Sequence, residues 1–112
     1  MFEGAMILVR QAGEGLTELE LSGEVNVFSA AQLHEEAMRL ADQGCEVLVA
    51  AEQLTGLDAA IVQVLLALKM ALGRQGRRLQ FRGVTEELGE TLRIAGLESC
   101  LSSAKALLHT AS

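Results

Sequence analysis

A short apolar strand followed closely by a long apolar helix is the feature that most constrains the fold of this chain. Residues 45–50, CEVLVA, contain an apolar run without polar alternation, which is typical of a central strand covered on both faces. A loop is predicted at residues 53–57, and the apolar side chains of residues 58–72 then recur at helical spacing. Because such a strand needs helices to cover it, the stretch predicts an α/β fold.

Asp58 stands at the start of that helix. Aspartate is a favoured N-cap because its carboxylate accepts hydrogen bonds from the first unpaired backbone N–H groups, and its charge complements the helix dipole. With Asp58 as the cap, Ala59, Ala60 and Ile61 form the first turn, beside a surface that favours anions. We therefore expect the functional site at residues 53–57 and at this helix start.

The other elements predict a mixed sheet. Residues 5–10 and 16–21 are read as an antiparallel hairpin, extended by residues 25–27. Further helices are predicted from Ser29, whose spacing to Gln32 matches a capping box, and from Thr85. A strand is predicted at residues 79–81, directly before the Thr85 helix. The first helix is expected to stop at Gly44 and the third at Gly96. Helical crossovers of this kind join parallel strands.

Composition limits the classes of function. At 112 residues we expect one domain, 1–112, with its core at about 5–97 and a weakly helical C-terminal segment at 98–112. A net charge of −6 and the absence of Trp and Tyr argue against nucleic-acid binding. No apolar run reaches the roughly 20 residues of a membrane span, and no basic region precedes the first apolar run. The expected location is the cytoplasm.

The sequence suggests no metal, cofactor or catalytic site. Cys45 and Cys100 match no metal-ligand spacing and are expected to be a reduced pair. His34 and His109 have no ligand at metal spacing and are expected at the surface. Asp58 lacks a second titratable group beside it, so it is interpreted as a cap and not as a general base. We therefore expect a protein that is not an enzyme.

The helix after Asp58 is more apolar than one buried face requires. One stripe is its expected core side: Ile61, Leu65, Leu68 and Leu72. A second stripe lies on another side: Ala59, Val62, Leu66 and Met70. Either a neighbouring helix covers this second stripe, or it docks a protein partner or a second copy of the chain. The residues expected to bind a partner are Thr55, Gly56, Asp58, Ala59, Val62, Gln63, Leu66 and Met70.

Five of the nine basic residues fall between Lys69 and Arg82. They are interpreted either as a solvated helix end, where Arg74 complements the C-terminal dipole, or as a surface that steers an acidic partner or a membrane-side complex.

With its elements in this order, the chain resembles the STAS domain, the fold of bacterial anti-sigma factor antagonists and of sulfate-transporter tails. The resemblance runs from about Met6 to Leu97 and is carried by three stretches: LSGEVNVFSAAQL, CEVLVAAEQLTGLDAA and GRRLQFRGVTEELGETLRIAGL. It implies a protein partner, either an anti-sigma factor that is also a kinase or another signalling component. In STAS domains, partners usually engage the helix start and the loop before it.

The resemblance also implies a phosphorylation site that this chain has lost. In that family the helix start usually carries an aspartate, then a serine or threonine that the partner kinase phosphorylates, another small residue and a glycine. Asp58 matches the aspartate, but Ala59 stands at the position of the hydroxyl and Ile61 where glycine is usual. Because alanine has no oxygen to accept a phosphoryl group, we expect a regulator without this switch. Thr55 is the alternative site of modification.

Two other functions remain open at this point. The chain also resembles the STAS subunit of a lipid-transport ABC complex, which packs against the ATPase, although the contact hydroxyl of that family lies where Ala59 stands. Some STAS domains are thought to bind nucleotides, so a small-ligand or nucleotide-binding module is the third hypothesis. No phosphate-cradling loop in the sequence supports it.

Overall fold

The structure, a computed structural model, describes residues 6–101. Seven elements follow one another in this part of the chain: β1 (Met6–Gly13), β2 (Leu16–Val25), α1 (Val27–Gln43), β3 (Glu46–Leu57), α2 (Ala59–Arg74), β4 (Leu79–Arg82) and α3 (Glu86–Ile94). The four strands form a sheet of order β1-β2-β3-β4, in which β1 and β2 are antiparallel and the other neighbouring pairs are parallel. The predicted mixed α/β sheet with an N-terminal hairpin is confirmed.

The crossover helices α1 and α2 pack beside each other on one face of this sheet. Alternate strand residues point to them, and Leu19, Val49 and Phe81 are at most 2% exposed. The helices pack their predicted apolar stripes against these strand residues. Leu33 of α1 and Leu65 of α2 belong to these stripes and are fully buried. Each such side chain contributes about 1.5–3 kcal/mol by leaving water, so the core lies between this face and the helices.

The opposite face of the sheet differs from the prediction. We call it the open face, because within residues 6–101 it is covered by charged side chains instead of a helix. Leu48 of β3 is only half-buried there, and the Arg82 guanidinium crosses the face to reach Glu18 at 3.2 Å. Within residues 6–101, helices therefore cover the central strand on one face only, which differs from the expected cover on both faces.

Two element boundaries also differ. Residues 53–57 are the end of β3 and not a loop, because β2 continues to Val25 and pairs with them. Residue 27 belongs to α1 and not to a strand, since Asn26 is the N-cap and its Oδ1 accepts a hydrogen bond from the Phe28 N–H at 3.0 Å. Ser29 thus lies inside the helix, and the predicted capping box is wrong.

The other predicted ends are confirmed. Gly44 ends α1 in the left-handed conformation, with φ of 68°. Thr85 caps α3 by accepting from the Leu88 N–H at 3.2 Å, and Gly96 follows its last turn. A helical turn begins at residues 98–101. The weak helix predicted near residues 103–109, with His109, lies outside the described residues.

Candidate functional site

Asp58 fixes the start of α2 against the end of the sheet. Its Oδ1 accepts a hydrogen bond from the Ala60 N–H at 2.9 Å, and its backbone oxygen accepts from Ile61 and Val62. Its own N–H donates to the Val25 oxygen at 3.1 Å, at the end of β2. The predicted N-cap is confirmed, and the helix start is tied to two neighbouring strands.

We call Thr55, Gly56, Asp58 and Ala59 the α2-start site. Thr55 is exposed near the end of β3, and Ala59 is exposed as the first residue of the helix. Gly56 is half-buried against Glu24 of β2, and a Cβ built on it would lie 2.9 Å from Glu24 Cγ. A larger residue there would push the Glu24 side chain aside, so glycine lets the two strands approach closely.

The second stripe of α2 is covered in its middle and open at both ends, Ala59 and Met70. Val62 is only 7% exposed and belongs to the core, so the expectation that it contacts a partner is corrected. Leu66 is half-buried against that core. Lys69 shares this side of the helix and donates to the Gly96 oxygen at 3.3 Å, which places the end of α3 beside it. Met70 remains 55% exposed, and Gln63 is exposed as well.

Two apolar residues at the start of α1 extend the surface beside this site. Val27 is 57% exposed and Phe28 is 91% exposed. They follow Asn26 directly, and the end of β2 pairs with the end of β3, where Val25 lies opposite Leu57. Sequence reasoning missed both residues because it placed the helix start at Ser29. The available signal was Asn26, a good N-cap type, which puts Phe28 in the first turn.

The charges at this end of the molecule are acidic. Residues 24–38 and 53–68 contain no lysine and no arginine. Glu24 and Glu35 are exposed there, and Asp58 is half-buried. His34 is exposed on α1, as expected. The side-chain charges around the α2-start site are therefore acidic, which favours a basic partner surface.

The basic residues between Lys69 and Arg82 lie elsewhere. Arg74 is in the last turn of α2, where a positive charge complements the dipole. Arg78 pairs with Glu46 at 3.6 Å, and Arg82 pairs with Glu18 on the open face. These contacts favour the interpretation as a solvated helix end.

A groove of about 310 Å³ opens near the C-terminal end of α2. It is lined by Lys69, Gly73, Arg77, Arg78, Leu79, Gln80, Ser99 and Cys100.

One ion pair shifts the pKa values of two side chains, Glu52 and Arg82. Arg82 donates a hydrogen bond to Glu52, which holds the pKa of that carboxyl below its usual value. The same contact raises the pKa of the Arg82 guanidinium. Both side chains are more than 40% exposed, so the pair adds only about 0.2–1 kcal/mol to stability. It ties the end of β4 to β3.

The thiols are buried. Cys45 and Cys100 are both free, and Cys45 Sγ lies 3.3 Å from Thr17 Oγ1 in the core. Burial raises the pKa of the Cys100 thiol, which disfavours its reactive thiolate.

Among residues 6–101 no group of three or more His, Cys, Asp or Glu side chains could hold a metal ion. In that same range, no helix combines the length and apolarity needed to cross a membrane.

A family model described as "Mlab, STAS domain" matches residues 8–108, which is most of the chain. The chain belongs to the STAS domain family. It is 27% identical over 84 residues to the anti-sigma-B factor antagonist of Bacillus subtilis (strain 168), a match that covers 75% of this chain and 77% of that protein. The predicted family is thereby confirmed.

Solved structures show the same fold. The Bacillus cell fate determinant SpoIIAA in its phosphorylated form has a TM-score of 0.73 at 14% identity, covering 94% of this STAS domain and 99% of that chain. An anti-sigma factor antagonist from Mycobacterium paratuberculosis has a TM-score of 0.69 at 18% identity, covering 85% and 80%. At these identities the likeness concerns the fold alone.

Proposed function

We propose that this STAS domain is a non-catalytic interaction module, similar in role to an anti-sigma factor antagonist, which binds a protein partner through its α2-start site. The partner is an anti-sigma factor or another signalling protein. The observation that carries the proposal is Ala59, an exposed methyl group directly behind the Asp58 cap. This position can be contacted by a partner but offers no oxygen for a phosphoryl group, so binding is not switched there.

Exposed apolar residues beside the site support a protein partner. Phe28 and Val27 project at the start of α1, and the aromatic ring of Phe28 is almost fully solvated. Aromatic side chains are enriched at the centres of protein interfaces, where their burial supplies much of the binding free energy. Phe28 is therefore the anchor of the proposed interface, with Ala59 and Met70 as flanking contacts.

The charge at this end defines the partner further. With no lysine or arginine in residues 24–38 and 53–68, and with Glu24, Glu35 and Asp58 present, a basic partner surface is complementary. Such complementarity raises the association rate and makes binding weaken as salt is added. Thr55, which is exposed beside Asp58, is the hydroxyl at this site that a kinase partner could still modify.

The proposal is tested by affinity capture in the source organism with three tagged proteins. Wild type should retain a partner that mass spectrometry identifies, and Phe28→Ser combined with Ala59→Gln should retain at least about tenfold less, equivalent to about 1.4 kcal/mol. Ile94→Ser is the matched control, because Ile94 is 75% exposed on α3 and its loss should leave capture unchanged. A folded double variant that keeps the same partner at wild-type level would contradict the proposal.

The missing switch is tested with the purified partner and ATP, if that partner is a kinase. Ala59→Ser restores a hydroxyl at the first helical position and should gain one phosphate at residue 59, located by peptide mass spectrometry. Wild type should gain none at that residue. Phosphate on Thr55 of wild type would show that control passes through the neighbouring hydroxyl.

A second candidate is the STAS subunit of a lipid-transport ABC complex. The description of the matched family, "Mlab, STAS domain", favours this candidate. The same α2-start site would then contact an ATPase in place of an anti-sigma factor. The protein captured by wild type and lost by the double variant decides between them.

A further inference from the structure

One edge of the sheet lacks the features that normally prevent strands from pairing between molecules. β1 is the first strand in the order β1-β2-β3-β4, so within the described part of the chain it pairs along β2 only. Alternate backbone N–H and C=O groups of its outer edge therefore point away from the sheet. Edges of this kind add further strands unless short length, charge, proline or a bulge interferes.

The other edge of the sheet is guarded. β4 is four residues long, and it ends in Arg82, whose side chain is held by Glu18 and Glu52. The second half of β1 is guarded too, since Arg10 is charged and the register shifts between Gln11 and Gly13. These devices are the ones that keep edge strands apart.

The first half of β1 has none of them. Residues 6–9, Met-Ile-Leu-Val, contain no charge, and the whole chain contains no proline. Met6 and Leu8 point to the open face and are 53% and 43% exposed, while Val9 on the helix-bearing face is 40% exposed. β1 is eight residues long, whereas β4 has four, so the exposed apolar first half of β1 predicts pairing with another strand.

We propose that residues 6–10 of β1 pair antiparallel with the same residues of a second copy of this chain, joining two four-stranded sheets into one. A two-fold axis at Leu8 sets Leu8 opposite Leu8 of the second copy and Ile7 opposite its Val9. Met6 then lies opposite Arg10 of the second copy, so no like charges face each other. This self-complementarity is what a two-fold interface requires, and it selects a second copy over an unrelated strand.

The pairing leaves the α2-start site free. β1 lies two strands away from β3 in the sheet, and the site lies at the end of β3. Both copies can therefore bind their partners, and the inference stands independently of the proposed function.

Cross-linking tests the axis directly. With Leu8→Cys in both copies, the Cα atoms on the axis would be roughly 4.5–5.5 Å apart, within the range for a disulfide. Gln11→Cys is the same-strand control, because three residues from the axis the two sulfurs are separated by six residues, roughly 20 Å. Oxidation should link Leu8→Cys copies and leave Gln11→Cys unlinked. Equal linking of both variants, or of neither, would overturn the proposed register.

Sedimentation equilibrium tests the association. Wild type should approach twice the monomer mass as concentration rises, and Leu8→Lys, which sets two charges face to face, should raise the dimer dissociation constant at least tenfold. Leu8 is exposed on the open face, so circular dichroism of the variant should match wild type. Met38→Lys, at a 60% exposed position of α1, should dimerise like wild type. A wild type that stays monomeric, or a Met38→Lys variant that dissociates instead, would refute the β1 interface.

Discussion

Asp58 fixes the position at which α2 begins relative to the sheet. Its carboxylate caps α2 through the Ala60 N–H, and its backbone N–H bonds to the end of β2. The helix therefore begins at a fixed place relative to the sheet, and Ala59 is exposed as a consequence. The position of residue 59 at the surface is therefore set by the contacts of Asp58.

Removing that carboxylate should cost stability. Asp58→Ala removes the acceptor of the Ala60 N–H, so the free energy of unfolding should fall by about 1 kcal/mol, within a range of about 0.5–2 kcal/mol. Asp42→Ala is the matched control, since Asp42 is exposed near the end of α1 and should change stability by less than about 0.5 kcal/mol. Urea denaturation of the three proteins measures both values. Equal effects of the two substitutions would show that the cap contributes nothing.

At the scale of elements, α1 illustrates a competition between two capping residues. Asn26 and Ser29 are both good N-cap types, and the sequence pattern around Ser29 matched a capping box. Asn26 is the N-cap in the structure, because β2 continues to Val25, opposite Leu57, and the chain must turn immediately afterwards. A pairing between residues distant in sequence therefore overrides the local signal.

The choice of cap predicts unequal effects of two similar substitutions. Asn26→Ala removes the acceptor of the Phe28 N–H and should lower the free energy of unfolding by about 1 kcal/mol. Ser29→Ala places a better helix former inside the helix and should change stability by less than about 0.5 kcal/mol. Thermal and urea unfolding report both. The opposite ranking would mean that α1 begins at Ser29 in solution.

Elements with a strong internal pattern were predictable from the sequence, and elements defined by their neighbours were not. Alternation in β2, helical spacing in α2 and the glycine after α1 each indicate structure within a few residues. Residues 53–57 read as a loop because Thr55 and Gly56 are typical of turns. They form a strand only because β2 lies beside them, which no local pattern can indicate.

The candidate site divides in the same way. Asp58 and Ala59 were predictable because capping is local. The burial of Val62 and the exposure of Phe28 depend on where the end of α3 and the end of β2 lie, so both were missed. Helical spacing gives the faces of a helix but not which neighbour covers each face.

At the scale of the whole molecule, the helices α1 and α2 and the ion pairs between strands lie on opposite sides of one sheet. The open face carries ion pairs that connect all four strands, with Arg10 reaching Glu20 at 2.6 Å and Arg82 reaching Glu18. The α2-start site lies at an end of the sheet and the unguarded part of β1 lies along its side. The proposed partner surface and the proposed edge for a second copy are therefore separate.

β3 has strands on both sides only as far as Ala50, where its pairing with β4 stops, while its pairing with β2 continues to Leu57. Within the described residues, alternate amides of residues 51–57 consequently face no partner strand, and we expect this segment to open more often than residues 46–50. Hydrogen–deuterium exchange should be faster there than in residues 46–50, and uniform protection along β3 would contradict this. Since the α2-start site begins on this segment, a partner that binds there as proposed would spend part of its binding free energy on ordering the segment.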